Sequence, residues 1–385
     1  MTTAKPKPPH PPCGHLLPQA GEGTTNKSTT KAKPQPQPQP QPQPKPKPKP
    51  KLPKVAHATT LRSTPTLWHT PASTNTEAAA IARQITLARI AASALITLSS
   101  AAIAAEDFIA RDHVSDGTFT TGIEGPATGP DGALYVVNFG KDGTIGRVDA
   151  DGKATLFLTL PEGSVGNGIR FGRDGTMYIA DYPRHNILRV APGSTTVSVF
   201  AHLPDAHQPN DIALAPDGTL YASDPNWTKT DEGQLWRIDR DGKVQLLESG
   251  MGTTNGIEVS PDGKRLYVNE SVQRNVWVYD RGDDGSLANK RLLIRFDDHG
   301  MDGMRCDADG NLYIARYDAG VVAVLSPQGT LLREVPLKGR KPSNVAFGGS
   351  DGRQVFVTLQ DRGAVETFQA DRPGREYGLQ PSGKP

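Results

Sequence analysis

Six polar residues recur at one fixed place along this chain, and their oxygen atoms suit a metal ion. Six of the chain's Asp-Gly pairs recur at intervals of 42 to 47 residues: Asp131, Asp174, Asp217, Asp262, Asp309 and Asp351. Seven residues before each pair stands a carboxyl- or amide-bearing residue: Glu124, Asn167, Asn210, Asn255, Asp302 and Asn344. Oxygen ligands of this kind suit a hard cation such as Ca²⁺, Mg²⁺ or Mn²⁺. The pattern therefore predicts a cation site, provided that the fold brings these positions together.

The segments that follow the Asp-Gly pairs have the character of β-strands. A first apolar run follows every pair, as in ALYVVNF and TMYIADY, and a second run comes next, as in GTIGRVD and NILRVAP. Asp-Gly between two such runs is typical of a tight hairpin, because glycine accepts a positive φ without strain. A period in the low forties with several strands per repeat predicts propeller blades. We therefore expect an all-β fold, a six-bladed β-propeller with four-stranded blades closed into a ring.

The register of the repeat predicts which polar residues act together. The first strand of each propeller blade lines the central channel, so matched positions point at one axis. Glu124 and Asp302 would then share a poorly solvated channel, where like charges raise each other's pKa and a divalent cation removes the cost. These two residues also depart from the asparagine that the other repeats carry, which favours a functional role. For Asn167 and Asn344 the alternative is a structural hydrogen bond to the backbone of a neighbouring blade.

Composition divides the chain into four segments. Residues 1–80 form a Lys-, Pro- and Gln-rich tail, which is predicted to be disordered because it cannot bury enough apolar surface to fold. Residues 81–105 are predicted to be a signal-peptide segment, residues 106–375 are assigned to the propeller, and residues 376–385 are predicted to be a flexible C-terminus.

The segment 81–105 has the layout of a secretory signal. Arg83 and Arg89 precede an apolar run that ends with Ala102 and Ala104 in an A-x-A arrangement. We expect cleavage near Ala104 and a periplasmic or secreted protein. The alternative is an amphipathic helix packed on the domain. Because about 80 residues precede this segment, either the true start codon is internal or export is wrong.

The charge distribution excludes a simple nucleic-acid-binding interpretation. Residues 1–105 carry 13 basic and two acidic side chains, a net charge of +11, whereas the remainder carries 30 basic and 39 acidic side chains, a net charge of −9. The part that is expected to fold is therefore acidic, so no nucleic-acid partner is expected. No run of 18 apolar residues occurs, so no membrane span is expected. Cys13 lies in the tail, and Cys306 is interpreted as a buried, inert thiol.

Motifs in the repeats resemble those of the senescence-marker-protein, gluconolactonase and luciferin-regenerating-enzyme family. The resemblance covers about residues 115–370. It rests on the segments IEGPATGPDGALYVVN, QPNDIALAPDGTLYASD, TTNGIEVSPDGKRLYVNES, MDGMRCDADGNLYIARY and PSNVAFGGSDGRQVFVT. It implies that Glu124, Asn255 and Asp302 bind the metal, and that Asn210 lies at the metal or faces the substrate.

The same resemblance implies a metal-dependent lactonase, with a small-molecule lactone as substrate and one divalent metal ion. Ca²⁺ is the leading candidate, and Zn²⁺, Mg²⁺ and Mn²⁺ are alternatives. Asp302 would be both metal ligand and catalytic general base, while Asn210, Gln208, His207 and Asn167 would bind substrate. Sugar-lactone members of the family often carry arginine where this chain has Gln208, which separates it from typical aldonolactone enzymes.

Two further points stay open at the level of sequence. His207 and His299 stand three residues before Asn210 and Asp302, and they are either proton shuttles or ordinary surface histidines. Asp224, Asn226 and Trp227 form either a lid over the channel or a solvated loop.

The main alternative function is a non-catalytic, metal-containing propeller that acts as a ligand- or protein-binding scaffold. A metal-free esterase or synthase of related propeller shape is a third interpretation. The Glu–Asp pair favours hydrolysis over both. The chain is expected to be a monomer or a small homo-oligomer.

Overall fold

The computed structural model describes residues 107–377, and all regular secondary structure in this range is β-strand. The predicted tail over residues 1–80, the signal-like segment over residues 81–105 and residues 378–385 lie outside the described residues. Within residues 107–377, no helix is present that could cross a membrane.

The strands are numbered β1 to β24 along the chain. The first strand and those of the first three blades are β1 (Arg111–Val114), β2 (Ala127–Thr128), β3 (Leu134–Val137), β4 (Thr144–Val148), β5 (Ala154–Thr159), β6 (Gly166–Phe171), β7 (Met177–Asp181), β8 (Asn186–Val190), β9 (Val197–His202), β10 (Ile212–Leu214), β11 (Leu220–Asp224), β12 (Gly233–Ile238) and β13 (Val244–Met251). The remaining strands are β14 (Thr254–Val259), β15 (Arg265–Glu270), β16 (Asn275–Arg281), β17 (Leu287–Arg295), β18 (Met304–Cys306), β19 (Leu312–Arg316), β20 (Val321–Leu325), β21 (Leu331–Pro336), β22 (Pro342–Gly348), β23 (Gln354–Leu359) and β24 (Ala364–Gln369).

These strands form six antiparallel sheets of four strands each, which confirms the predicted six-bladed propeller. Five sheets contain four consecutive strands, and the sixth contains β22, β23 and β24 together with β1. β1 pairs with β24 through Arg111 and Thr367, so the first strand of the chain completes the last blade. The innermost strands of neighbouring blades contact one another around the whole ring.

The hydrophobic core lies between the blades, because neighbouring sheets pack face to face. In strand β3, Leu134 and Val136 belong to a cluster shared with the sixth blade. Tyr135 and Val137 belong to a cluster shared with the second blade. Successive side chains of a strand point to opposite faces of the sheet. A middle strand buried on both faces therefore reads as a continuous apolar run, as the sequence shows.

The six Asp-Gly pairs lie in tight turns at the end of the channel opposite to the predicted cation site. Their glycines have φ values between 71° and 88°, which confirms the predicted use of positive φ in these hairpins. In each blade the chain runs down the channel in the innermost strand, turns at Asp-Gly and returns in the second strand.

The C-terminal segment closes the lower end of the channel. The backbone of Arg375 donates to the Cys306 carbonyl at 3.1 Å, and the backbone of Gly374 donates to the Gly352 carbonyl at 2.9 Å. The Arg375 side chain is buried and pairs with Glu258 at 2.7 Å. A space of about 20 Å³ remains between this segment and the channel wall, roughly the room that one water molecule needs.

Gly125 allows two innermost strands to approach each other closely. Its φ is 54°, and a Cβ atom there would lie 1.8 Å from the carbonyl oxygen of Asn167 in the next blade. Gly132 also has a positive φ, 76°, but a Cβ atom there would meet nothing within 4 Å.

We predict that Gly125→Ala destabilises the protein far more than Gly132→Ala. The control substitution should cost about 1–2 kcal/mol, the strain of a left-handed alanine, whereas Gly125→Ala adds a backbone clash and should cost on the order of 4 kcal/mol or more. Chemical denaturation of both variants measures the difference. Equal losses in the two variants would contradict the predicted contact between blades.

Candidate metal centre

The six polar positions of the repeat lie at the start of the innermost strands, buried around the upper end of the channel. Their exposed fractions are at most 6%: Glu124 2%, Asn167 3%, Asn210 6%, Asn255 0%, Asp302 0% and Asn344 1%. In each blade the polar residue lies within the first residues of the innermost strand or just before it. The ring of innermost strands therefore carries a ring of oxygen-bearing side chains.

Glu124 is held by its own strand and by the sixth blade. Its Oε2 accepts a hydrogen bond from the Gly125 backbone at 2.7 Å and another from Asn344 Nδ2 at 3.0 Å. Burial raises the pKa of Glu124 well above its usual value, and the negative charges of Asp302 and Asp211 raise it further. The two hydrogen bonds oppose this rise without cancelling it.

Asp302 is the second carboxylate of the site, and it contacts the first. Burial raises its pKa to about 8, and the charge of Asp211 adds to the rise. Hydrogen bonds with Glu124 and Asn255 act in the opposite direction. Two carboxyl groups that hydrogen-bond each other must share a proton. In the protein alone, the pair therefore holds a proton at neutral pH that a cation would displace.

Amide oxygens supply the other candidate ligands. Among residues 107–377, Asn210 Oδ1 and Asn255 Oδ1 are buried and have no hydrogen-bond partner. The Asn255 amide is oriented by its nitrogen, which donates to Ser271 Oγ at 3.1 Å. A buried oxygen without a partner carries a desolvation cost that a bound cation would offset.

The donor set fits an oxygen-preferring cation. Within the described range, no cluster of three or more His, Cys, Asp or Glu side chains is arranged as metal ligands would be. The candidate set is therefore two carboxylates, Glu124 and Asp302, and two amide oxygens, from Asn210 and Asn255. Such a set without nitrogen or sulfur suits Ca²⁺, Mg²⁺ or Mn²⁺ better than Zn²⁺.

Asn167 and Asn344 use their amides for contacts within the protein. Asn167 Nδ2 donates to the Asn210 carbonyl oxygen at 3.1 Å, which ties the second blade to the third. Asn344 Oδ1 accepts from the Val345 backbone at 2.9 Å, while its nitrogen holds Glu124. Asn167 thus makes the hydrogen bond to the backbone of a neighbouring blade that the sequence left as an alternative, whereas Asn344 bridges to the side chain of Glu124 in the first blade. Asn167 lies beside Asn210, and the substrate-binding role of Asn167 stays a prediction.

His207 and Gln208 lie on the loop that leads into the third blade, and both are half-buried. Their backbone N–H groups donate to the carboxylate of Asp224, His207 at 2.9 Å and Gln208 at 2.5 Å. Asp224 is fully buried and also accepts from Trp236 Nε1 at 3.0 Å. Asp224 is therefore an internal anchor for this loop and does not lie above the channel as part of a lid.

The remaining residues of the supposed lid form a fixed loop. Asn226 Oδ1 accepts from the backbones of Thr228 and Lys229 at 3.1 and 3.0 Å. Gln273 of the fourth blade donates to the Thr230 carbonyl at 2.7 Å and so fastens this loop to the next blade. Trp227 is half-buried on it.

His299 is exposed on the loop before Asp302, and its Nε2 lies 3.9 Å from Asp298. This position agrees with the surface-histidine interpretation rather than with a proton shuttle in the channel. Cys306 is buried, as expected, and burial raises the pKa of its thiol well above the usual value.

A buried ion network below the candidate site was not foreseen from the sequence. Arg170 Nη1 lies 3.2 Å from Asp211 Oδ1, and Arg305 Nη1 lies 3.1 Å from Asp211 Oδ2. Glu258 accepts from Arg375 and lies 3.8 Å from Arg170. One signal was available: Arg170, Glu258 and Arg305 each stand three residues after the polar position of their repeat, inside apolar strand patterns.

Comparison with known proteins places this propeller in a family. The family model described as "SMP-30/Gluconolactonase/LRE-like region" matches residues 117–361, which include the first five blades and two strands of the sixth. The chain belongs to this family.

Individual proteins similar to this chain share about a third of their residues with it over the aligned parts. A 6-deoxy-6-sulfogluconolactonase from Pseudomonas putida is 32% identical over 144 residues, 37% of this chain and 50% of the relative. A pentonolactonase from Haloferax volcanii is 34% identical over 129 residues, 33% of this chain and 44% of the relative. The chain therefore aligns with about half the length of these curated relatives. A solved regucalcin from Agrobacterium tumefaciens, described as a calcium-binding protein, shares the fold: the TM-score is 0.60 at 22% identity, over 68% of this chain and 94% of that one.

We predict that the protein without a divalent cation loses stability as pH rises from about 5 to about 8, because Asp302 and Glu124 bind protons more tightly in the folded than in the unfolded state. Between the unfolded and folded pKa values the folded protein holds more protons, so raising the pH favours unfolding. Added Ca²⁺ should remove this loss by replacing the protons. Thermal unfolding at several pH values, in EDTA and in Ca²⁺, measures both effects.

Asp302→Asn is the control, because asparagine does not titrate. The fall in melting temperature with pH in EDTA should be smaller in this variant than in the wild type. A wild-type melting temperature in EDTA that does not fall across this range, or an identical fall in the variant, would contradict the assignment of the buried pair.

Proposed function

We propose that this protein hydrolyses a lactone with the help of a divalent cation held by Glu124, Asn210, Asn255 and Asp302. The observation that carries the proposal is the pairing of two fully buried carboxylates, whose pKa values are raised, with buried amide oxygens that lack partners among the described residues. A protein that only needed a stable channel would gain from apolar side chains at these positions.

The related proteins support the reaction class. Both curated relatives described above are lactonases by name, and the solved structure of similar fold is described as calcium-binding. A lactone is a cyclic ester, so its hydrolysis needs an activated water molecule and stabilisation of the oxyanion that forms at the carbonyl carbon.

A divalent cation, when bound, supplies Lewis-acid polarisation of the lactone carbonyl and stabilises negative charge on its oxygen. Ca²⁺ is proposed as the native ion because every ligand in the set is an oxygen atom of a side chain. Mg²⁺ and Mn²⁺ are compatible with the same set, and Zn²⁺ is the poorest match.

Asp302 is proposed as the general base. Its carboxylate is buried in contact with Glu124 and Asn255, and in its ionised form it is able to accept a proton from water. Glu124 is restrained by two hydrogen bonds and serves as a fixed anion rather than a mobile base.

The substrate is proposed to enter from the upper mouth of the channel. The lower end is occupied by Arg375 and its ion pair with Glu258, which leaves a single open side. Asn210 orients the ring of the lactone, and Gln208 and His207 are positioned by Asp224 to line the same side of the mouth.

We predict that the purified protein hydrolyses glucono-δ-lactone or dihydrocoumarin, and that EDTA abolishes this turnover. Added Ca²⁺ or Mn²⁺ should restore it, because the cation is needed to polarise the carbonyl. A pH-stat assay measures the acid released. Turnover that EDTA leaves intact would overturn the metal mechanism, and the absence of turnover with every lactone would favour a ligand-binding scaffold.

We also predict that Asp302→Asn and Glu124→Gln each lower kcat by at least about 100-fold, the size of effect expected when a general base or its electrostatic partner is lost. Both substitutions keep the shape of the side chain, so circular dichroism should show an intact propeller. Asp307→Asn is the matched control, since Asp307 is an equally buried carboxylate that holds a lower turn through Asn311. Wild-type rates in the first two variants, or an equal loss in the control, would contradict the site.

A further inference from the structure

A second set of matched positions lies just beyond the end of the second strand in each blade. Tyr317 follows β19 in the fifth blade, and Gln360 follows β23 in the sixth. Because the second strands run towards the upper mouth of the channel, the residues that follow them lie at the mouth. Neither residue is used in the function proposed above.

Strand pairing places these two residues directly above the candidate ligands. The Asp302 backbone donates to the Ala315 carbonyl at 2.9 Å, and Tyr317 stands two residues beyond Ala315 towards the mouth. The Asn344 backbone donates to Thr358 Oγ1 at 3.0 Å, and Gln360 stands two residues beyond Thr358. Both residues therefore follow the strand partners of Asp302 and Asn344 on the mouth side, and the charges of Asp302 and Glu124 reach the Tyr317 hydroxyl.

Tyr317 and Gln360 contact each other across two blades. The Tyr317 hydroxyl donates to Gln360 Oε1 at 3.0 Å, and each residue is 3% exposed, which is comparable to the 6% of Asn210. Burial raises the pKa of Tyr317, and the nearby charges of Asp302 and Glu124 raise it further, so the group stays a neutral phenol. The phenol is thus within electrostatic reach of both carboxylates.

Gln360 and Gln208 belong to opposite sides of the ring. Gln360 is in the sixth blade, Gln208 leads into the third, and in a ring of six blades these two are opposite each other. A phenol oxygen that donates one hydrogen bond still accepts others, and an amide offers both donors and acceptors. This chemistry matches a substrate hydroxyl.

The charges around the pair argue against an anionic substituent. Lys341 Nζ lies 5.5 Å from the centre of the Tyr317 ring, and Arg340 donates to the Asp318 carbonyl at 2.7 Å. Four carboxylates act on the phenol, those of Asp318 and Asp361 and the two of the candidate site, and all four raise the pKa of Tyr317. Two cations among four anions provide no net positive charge. A neutral hydroxyl therefore fits this pair better than a carboxylate or a sulfonate.

We propose that Tyr317 and Gln360 bind a ring hydroxyl of the substrate and so determine a preference for hydroxylated over unsubstituted lactones. The inference rests on the proposed lactone hydrolysis and assigns the side of the pocket that Gln208 does not supply. The pair binds substrate above the cation site and takes no part in proton transfer.

The test compares wild-type protein and Tyr317→Phe on two substrates that differ in hydroxyl groups, glucono-δ-lactone and δ-valerolactone. The variant should raise KM for glucono-δ-lactone by about tenfold, the effect expected for one hydrogen bond between neutral groups. Its kcat on both substrates and its KM for δ-valerolactone should stay near the wild-type values. Gln360→Met should shift selectivity in the same direction.

Tyr279→Phe is the matched control. Tyr279 is another 3%-exposed tyrosine whose hydroxyl donates to a single carboxylate, Glu248 at 2.8 Å, on the third strand of its blade, away from the channel. This variant should leave the selectivity unchanged.

Two failures can be distinguished in this experiment. If the wild type hydrolyses both lactones and Tyr317→Phe changes KM equally for each, or changes only kcat, the assignment of the pair is overturned and lactone hydrolysis stands. If the wild type hydrolyses dihydrocoumarin but neither of these two lactones, this inference fails and lactone hydrolysis stands. If it hydrolyses none of the three, the proposed function and this inference fail together.

Discussion

The burial of Glu124 beside Asp302 is the constraint around which the upper channel is organised. Burial out of water raises the pKa of both carboxyl groups, and the charge of Asp302 raises that of Glu124 further, so the fold must hold the two groups together or supply a positive charge. The surrounding hydrogen bonds hold them. Asn344 Nδ2 and the Gly125 backbone donate to Glu124, and Asn269 Nδ2 donates to the Asp302 carbonyl at 2.6 Å. The fold therefore keeps the two carboxyl groups together, and a bound cation would neutralise their charge.

The two ends of the channel have opposite chemistry. The upper end carries carboxylates and amide oxygens, while Arg170, Arg305 and Arg375 fill the lower part and pair with Asp211 and Glu258. Buried ion pairs of this kind contribute little net stability compared with apolar packing. Here they neutralise the charged side chains of the lower channel and fill that end of it.

The sequence predicted the fold and the register of the polar ring, because both follow from local periodicity. Each blade is a set of hairpins, so a period of 42 to 47 residues and six Asp-Gly turns are sufficient to identify the propeller. Side-chain partners were not predictable in the same way. Arg375 reaches Glu258 across 117 residues, and Asp224 anchors the loop of His207 rather than covering the channel. Nothing in the local pattern of Tyr317 indicates its contact with Gln360, since the two belong to different blades.

The pairing of β1 with β24 has a consequence for how the cation site forms. The first five blades are built from strands adjacent in the chain, so each is able to form soon after its own residues leave the ribosome. The sixth blade joins opposite ends of the domain, and contacts of such long range form late because loop closure must come first. The hydrogen bond between Asn344 and Glu124 spans 220 residues and crosses the same seam. Assembly of the acidic pair is therefore tied to the final step of ring closure, so a nascent chain with five complete blades has no mature binding pocket.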